Sequence, residues 1–376
     1  MTHSLSARLR RLWLDVHLWI GVGLLVVLAP LSLSGSYLVW HDPIDRALHA
    51  ERYATTGEGQ APMASYEAAA KAAFGQRALL SQIRLPQKPG DPVVALGRIP
   101  GPPGPGGRPR TLNAWIDPPS GKVLAVDEVA RGLSMTLHRL HGTLLIPDVG
   151  RKVVGWLGWA MFVSCATGLW LWWPRHGGFL QALRWRRGAS QLFNLHHMLG
   201  FWICLPLAVL SLTGVIISFP QTAERLVGGK PAAPQAGVAF QRSRNAPPLA
   251  HPATALPTAL AAAAAARPGE QVAAVTWPQT GERPAWRVEF RGKGPAAAPV
   301  SIDDRSGKAR PARAGGGQPQ RSPFALWSRK IHDGTDMARL WQAVIFLGGL
   351  APTVLSLTGL VMWLRRRARR RALAAA

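Results

Sequence analysis

Cysteine is nearly absent from the 376-residue chain. The two that occur, Cys165 and Cys204, both fall inside long apolar stretches. No disulfide framework can therefore brace the segments between those stretches, and the two thiols read as small buried hydrophobes. Acidic residues are also scarce, 19 against 44 lysines and arginines. Four stretches carry no charge at all: Leu18 to Trp40, Val153 to Trp173, Met198 to Phe219 and Ala343 to Leu364. Each is near the ~20 residues that cross a bilayer core of ~30 Å. No small-residue cleavage pattern of the A-x-A kind follows the first stretch, and it is longer than the usual ~7–15 residues of a signal-peptide core. It reads as a retained span. The expectation is an integral membrane protein with four spanning helices.

A formal charge of +25 invites a nucleic-acid partner, but the distribution of arginine excludes that reading. Arg8, Arg10 and Arg11 precede the first stretch. Arg175, Arg184, Arg186 and Arg187 fill the short link between the second and third. Arg365, Arg366, Arg367, Arg369, Arg370 and Arg371 follow the fourth, and Asp15 is the only acid in or beside these segments. The positive-inside rule places all three in the cytoplasm, with both termini inside and both long loops outside. Arg151, Lys152, Arg329 and Lys330 lie near the outer ends and weaken the contrast without reversing it.

The chain repeats. HLWIGVGLLVVLAPLSLSG, from His17 to Gly35, aligns with HHMLGFWICLPLAVLSLTG, from His196 to Gly214. The histidine-to-glycine spacing is 35 − 17 = 18 and 214 − 196 = 18. Thr167-Gly168-Leu169 matches Thr358-Gly359-Leu360, and a histidine precedes each glycine by 168 − 141 = 27 and 359 − 332 = 27 residues. Two tandem units, each a span, an outer domain and a returning span, should be related by a pseudo-two-fold axis along the membrane normal. The outer segments repeat as well: an alanine-rich helical stretch (Tyr66 to Phe74; Thr254 to Ala266), then strand-like pieces ending in DPPSGK and DDRSGK, with Asp117 over Asp303. The glycine- and proline-rich runs Gly101 to Gly107 and Gly228 to Gly237 read as flexible or extended loops. No glycine cluster follows a strand and opens a helix, so no nucleotide-binding loop is present.

This reading divides the chain into a cytoplasmic N-terminus with span one (1–41), a first outer domain (42–135), an outer histidine segment with span two (136–174) and a cytoplasmic loop (175–192). Span three (193–219), a second outer domain (220–325), an outer histidine segment with span four (326–364) and a basic tail (365–376) follow. The fold class is an α-helical membrane protein: a four-helix bundle built from two repeats, with two small α+β domains outside.

Ionisable side chains at membrane depth mark function. Repeat symmetry brings His17 and His196 to one depth at the cytoplasmic ends of spans one and three. It brings His141 and His332 to another, near the outer ends of spans two and four. Two neutral imidazoles facing each other across a bundle are an axial pair for haem iron. Gly21 and Gly200, four residues on from His17 and His196, would leave room for a flat macrocycle or serve close helix packing. Zinc is disfavoured, because Asp333 beside His332 has only Gly142 as its counterpart beside His141. No CxxCH motif exists, so covalent attachment is excluded and two haem b groups are expected. Pro147 argues against one straight helix through His141 and span two. His138, one turn from His141, has Arg329 as its repeat partner, and His197, beside His196, has Leu18. Both are weaker candidates, since successive helical residues point ~100° apart. His3, His41, His49, His176 and His251 read as solvated. Trp40, Trp172, Trp173 and Trp341 read as interfacial anchors, with ring stacking on a haem open for Trp202 or Trp341.

LDVHLWIGVGLL, LHRLHGTLL with TGLWLWWPR, NLHHMLGFW with LSLTGVIISFP, and KIHDG with LSLTGLVMWLRRR together resemble the PepSY-associated transmembrane family over nearly the whole chain. Its members include iron-regulated inner-membrane proteins and ferric-siderophore reductases, and the outer D-x-x-S-G-K turns look like the ends of PepSY domains. The resemblance implies a di-haem oxidoreductase of the bacterial inner membrane that passes electrons to ferric-siderophore complexes in the periplasm. No flavin or NADH motif is visible, so the donor is another molecule, cytoplasmic or a quinol. Arg242, Arg244, Arg287 and Arg291 could hold an anionic ferric complex or form ordinary basic surface. The catalytic residues are not specified, and the remaining expected partner is membrane lipid. The alternative is a membrane-tethered regulator of peptidase activity without redox function.

Overall fold

The computed structural model describes residues 5–101, 109–174, 178–185, 188, 190–228, 245–292, 298–312 and 322–375. Most of both glycine- and proline-rich runs, together with Arg175, Arg186, Arg187, Arg242, Arg244, His3 and His176, lie outside the described residues. The chain forms two compact units. One comprises 1–41, 136–231 and 321–376; the other comprises 42–135 and 232–320.

In the helical unit, α1 (Leu5–Gly23) and α2 (Leu25–Val39) are followed by α3 (His41–Leu48), which leads into the other unit. The chain returns as α5 (Leu133–Thr143), α6 (Gly150–Trp172), α7 (Phe179–Ala182), α8 (Gln191–Ser218) and α9 (Pro220–Leu226). It ends with α11 (Pro323–Asp333) and α12 (Arg339–Ala375). Among the described residues, three helices, α6, α8 and α12, are long and apolar enough to cross a membrane. The first expected span is instead two helices, α1 and α2, bent by 68° at Leu24. Gly21 and Gly23 immediately precede the break, and glycine weakens a helix interior by about 1 kcal/mol per residue. The equivalent part of α8 stays continuous through Pro206.

Helix α6 packs along α8, α12 packs on α2 and α8, and α1 packs on α6. Small residues set the closest crossings. A Cβ on Gly158 of α6 would stand 3.2 Å from the Ser211 carbonyl oxygen of α8, and one on Gly349 of α12 would stand 2.6 Å from that of Ser32 in α2. These contacts are repeat-equivalent, each glycine lying ten residues before the glycine of the returning span (168 − 158 and 359 − 349). Close backbone approach of this kind is how apolar helices gain packing energy where lipid offers no hydrophobic contrast. Ser36 Oγ donates to the Phe346 carbonyl at 2.8 Å and ties α2 to α12.

In the second unit the strands of the two expected α+β domains join in a single sheet. Strands β1 (Leu79–Arg84), β2 (Val93–Ile99), β3 (Arg110–Ile116) and β4 (Val123–Glu128) come from the first half. β5 (Val272–Thr276), β6 (Ala285–Phe290), β7 (Val300–Asp303) and β8 (Ala309–Pro311) come from the second. All eight form one antiparallel sheet in the order β4-β3-β2-β1-β5-β6-β7-β8. The seam pairs Gln82 with Thr276, Ile83 with Val275 and Arg84 with Ala274. The order is palindromic about the seam, as a two-fold relation between the halves requires. Pairing the two first strands removes an exposed edge from each half.

Helices α4 (Met63–Phe74) and α10 (Leu256–Ala266) pack on this sheet. The buried residues of α4 are Tyr66, Ala70 and Phe74, one helical face at a spacing of four. α4 ends at Gly75, whose φ of 53° suits a residue without Cβ. Gly97 in β2 lies under Phe74, where a Cβ would come within 2.8 Å of the ring. Alternation along the strands sends Val93, Ala95, Ala114, Val275, Trp286, Val288 and Ile302 into one shared core spanning both halves. Ile83 and Val275 are fully buried at the seam.

The two D-x-x-S-G-K turns divide their labour differently. Asp117 accepts from Thr56 N and Thr56 Oγ1, both at 2.8 Å, and from Ser120 Oγ, so one carboxylate caps the turn and pins a distant segment. In the second copy Asp303 caps the turn, accepting from Ser306 N and Oγ at 2.9 Å. Asp304 does the pinning, accepting from Ala253 N at 3.0 Å and Thr254 N at 3.1 Å. The proline at position 118 leaves Asp117 to serve both purposes.

Candidate functional site

The helical unit brings the four expected histidines together in two pairs. The ring centroids of His17 (α1) and His196 (α8) lie 6.4 Å apart, with the rings perpendicular. Those of His141 (α5) and His332 (α11) lie 6.0 Å apart at an interplanar angle of 40°. Each pair takes one histidine from each repeat.

Chain breaks position the second pair. α5 stops at Thr143, and Leu144, Leu145 and Asp148 adopt left-handed backbone on either side of Pro147 before α6 begins. α11 ends at Gly334 with φ of 73°, before α12. These turns fold the short histidine helices back against α2 and α8. Trp341 Nε1, at the start of α12, donates to the Ile331 carbonyl at 2.8 Å and holds α11 in place.

Every Nδ1 of the four is engaged by a neighbouring helix. His141 Nδ1 meets the Leu31 carbonyl at 2.8 Å. His332 Nδ1 meets the Leu210 carbonyl and Thr213 Oγ1, both at 3.0 Å. His17 Nδ1 meets the Ser164 carbonyl at 3.1 Å and Thr167 Oγ1 at 3.2 Å. His196 Nδ1 meets Thr358 Oγ1 at 2.8 Å, with the Leu355 carbonyl as a further partner. Each ring also lies edge-on against a glycine. A Cβ would stand 2.7 Å from His141 Cε1 at Gly35, 3.0 Å from His17 Cε1 at Gly168, 3.2 Å from His332 Cε1 at Gly214 and 3.5 Å from His196 Cε1 at Gly359.

The rival histidines point elsewhere. His197 is stacked between Phe193, at 5.4 Å, and Trp172, at 5.7 Å. His138 is exposed one turn before His141 and stands outside the ring pair. Burial, then the charges of Arg329, His41 and Arg151, hold its imidazole below the usual range. His41 Nδ1 bonds the Leu38 carbonyl at 2.8 Å, His49 Nδ1 bonds Glu51 Oε1 at 3.3 Å, and His251 is exposed. Asp333 accepts from Thr335 N at 2.9 Å and pairs with Arg329, which occupies it at the helix end. Trp202 is 64% exposed and faces away from the packed helices. Gly21 has open space where a Cβ would stand, and Gly200 meets only Leu355 Cδ2 at 3.8 Å, so both leave room on the histidine faces of α1 and α8. In the sheet unit, Arg287 pairs with Glu289 at 3.2 Å and Arg291 donates to the Pro86 carbonyl at 2.6 Å. Cys165 and Cys204 are buried free thiols, and Cys204 Sγ donates to the Cys165 carbonyl at 3.1 Å across the α6–α8 contact.

Sequence reasoning missed the residues that seat the rings. Gly35, Gly168, Gly214 and Gly359, with Ser34, Thr167, Thr213 and Thr358 before them, served only to align the repeats. The signal was available: a hydroxyl residue followed by glycine recurs at the same place in all four apolar stretches.

Apolar helices long enough to cross a membrane, paired histidines drawn from two repeats and a separate antiparallel sheet define a membrane protein with an ionisable site in its helical unit. The chain belongs to the family described as the PepSY-associated TM region, which matches residues 14–366. No curated protein matches the chain.

Proposed function

We propose that this is a di-haem b electron-transfer protein of the bacterial inner membrane that reduces periplasmic ferric-siderophore complexes. In this reading α1 and α2 act as one broken span, giving a four-helix bundle with both termini cytoplasmic and both long loops outside. The observation that carries it is the pair of cross-repeat histidine couples. Metal–imidazole bonds of about 2 Å on either side of one ion place two coaxial ring centroids roughly 6 Å apart, close to the 6.4 and 6.0 Å observed. Two nitrogens leave most of a metal's coordination to be met by something other than side chains, which suits a planar macrocycle. Open space at Gly21 and the near absence of contact at Gly200 suit it as well.

His17 and His196 would hold one haem and His141 and His332 the other. Haem iron supplies one-electron chemistry, which would link a cytoplasmic or quinol donor to an external Fe(III) chelate whose weaker Fe(II) complex gives up its metal. The protein's part is to hold the two pairs apart along the bundle, exclude water and present the histidines in a fixed orientation. The stretches 18–40, 153–173, 198–219 and 343–364 hold no charged residue, so an electron would cross without a side chain that traps its charge.

The test is an absorption spectrum of purified protein followed by anaerobic reoxidation. A b-type spectrum at two haems per chain, with the reduced form reoxidised by a membrane-impermeant ferric siderophore faster than by buffer, is expected. Haem-free protein would end this reading and favour the regulator. Haem present but inert to every ferric complex would end the reductase assignment alone.

A further inference from the structure

We infer that the four hydroxyl–glycine dipeptides, Ser34-Gly35, Thr167-Gly168, Thr213-Gly214 and Thr358-Gly359, are positioning residues that hold each paired histidine as its Nδ1–H tautomer with Nε2 turned to its partner. The inference deepens the haem reading and rests on it for its redox consequence. The tautomer itself can be tested without haem.

Each seat has three parts, all on one turn of a spanning helix. The first is the carbonyl four residues before the glycine: Leu31, Ser164, Leu210 and Leu355 (35 − 31, 168 − 164, 214 − 210 and 359 − 355 are all 4). The second is the hydroxyl just before the glycine, which meets Nδ1 directly in the three threonine seats, whereas Ser34 Oγ donates to the Leu31 carbonyl at 2.8 Å. The third is the glycine. The seating follows the repeat. In the first unit His17 sits on Gly168 and His141 on Gly35; in the second His196 sits on Gly359 and His332 on Gly214. Every seat therefore lies within one repeat, and every pair joins the two.

The tautomer follows from donor and acceptor chemistry. A carbonyl oxygen only accepts, so the Nδ1 bonds to Leu31, Ser164 and Leu210 require a proton on Nδ1. The three threonine hydroxyls are committed the same way. Thr167 Oγ1 lies 2.8 Å from the Val163 carbonyl, Thr213 Oγ1 lies 2.9 Å from that of Val209, and Thr358 Oγ1 lies 2.9 Å from that of Leu355. Their single hydrogen is directed there, so each can only accept from imidazole. A neutral ring with Nδ1–H leaves its Nε2 lone pair for a metal, and the acceptors on Nδ1 raise its donor strength. Ser34, Thr167, Thr213 and Thr358 are all buried, so no bulk water substitutes for them. Glycine completes the seat, because the ring edge occupies the place of a Cβ.

The seats differ, which gives a graded test. A methyl group at Gly35 meets His141 Cε1 at 2.7 Å, whereas one at Gly359 meets His196 Cε1 at 3.5 Å, an ordinary contact. Gly35→Ala should therefore lose the low-spin signal of the His141/His332 site, and Gly359→Ala should keep both sites. Thr358→Val removes the 2.8 Å acceptor of His196. It should shift the midpoint potential of the His17/His196 site upward, and Thr358→Ser should restore it. Histidine ¹⁵N shifts of labelled protein as purified give a second readout, independent of haem. In wild type the four rings should report Nδ1–H, and Thr358→Val should change only the His196 signals. Nε2–H tautomers at these histidines would overturn the inference even if haem is bound. So would a Thr358→Val protein with unchanged potential and ¹⁵N shifts, or equal tolerance of alanine at Gly35 and Gly359. Haem-free wild type that still shows Nδ1–H rings would remove the haem reading and leave the seats standing.

Discussion

His17 and His196, 179 positions apart in sequence (196 − 17), face each other with ring centroids 6.4 Å apart and rings perpendicular. The neighbouring imidazole of His197 is stacked instead between Phe193 and Trp172. If the paired rings are axial ligands, removing one should turn a low-spin six-coordinate iron into a five-coordinate one or empty the site. His17→Ala and His196→Ala should each abolish the same half of the haem signal, and His141→Ala and His332→Ala the other half. His138→Ala and His197→Ala should leave both halves nearly intact. Loss of a site in His138→Ala but not in His141→Ala, read by absorption and electron paramagnetic resonance, would refute the assignment.

Orientation is open to a direct check. The arginines at 8, 10 and 11, in the 175–187 link and at 365–371 predict that all three segments are cytoplasmic. Reporters fused after Ala54 and after Gly281, both in the sheet unit, should be active only if the reporter matures in the periplasm. Activity of a cytoplasmic reporter at either position would invert the proposed direction of electron flow.

The continuous sheet predicts that the two halves of the sheet unit unfold together. Ile83, fully buried at the seam opposite Val275, should cost about 2–5 kcal/mol when replaced by alanine. Hydrogen exchange in the Ile83→Ala protein should rise in β6 and β7 as well as in β2 and β3. Faster exchange confined to the first half would show two independently stable domains.

Asp117 should make the sheet unit acid-sensitive. Burial pushes its pKa up, but the hydrogen bonds from Ser120 and Thr56 outweigh burial and hold the carboxyl below its ordinary value. A depressed folded pKa means the contribution is complete above the unfolded value of about 3.9 and is lost as pH falls through the lower folded value. Asp117→Asn should destabilise the unit by about 1–3 kcal/mol at neutral pH, since buried donors lose a charged acceptor. It should also flatten the loss of stability on acidification. Denaturant melts of both proteins between pH 7 and pH 2.5 measure both effects, and parallel pH profiles would exclude the carboxylate as the source.

Local chemistry, and therefore the sequence alone, determined the apolar stretches, the two-fold repeat and the four histidine positions. Absence of charge over about 20 residues is a property of each segment by itself, and spacings of 18 and 27 survive whatever the chain does in three dimensions. The family could be recognised from the same short motifs. Tertiary structure decided the rest. The first apolar stretch breaks at Leu24 although it is as free of charge as the others, because Gly21 and Gly23 only permit a bend, and packing of α1 on α6 and α2 on α12 sets it. β1 finds β5 rather than solvent, because a strand's free edge carries no mark of its partner and 190 or more residues separate the two (274 − 84). Gly35 and Gly214 met the rings of His141 and His332 only when α5 and α11 folded back, since an imidazole and the missing Cβ it occupies lie on different helices.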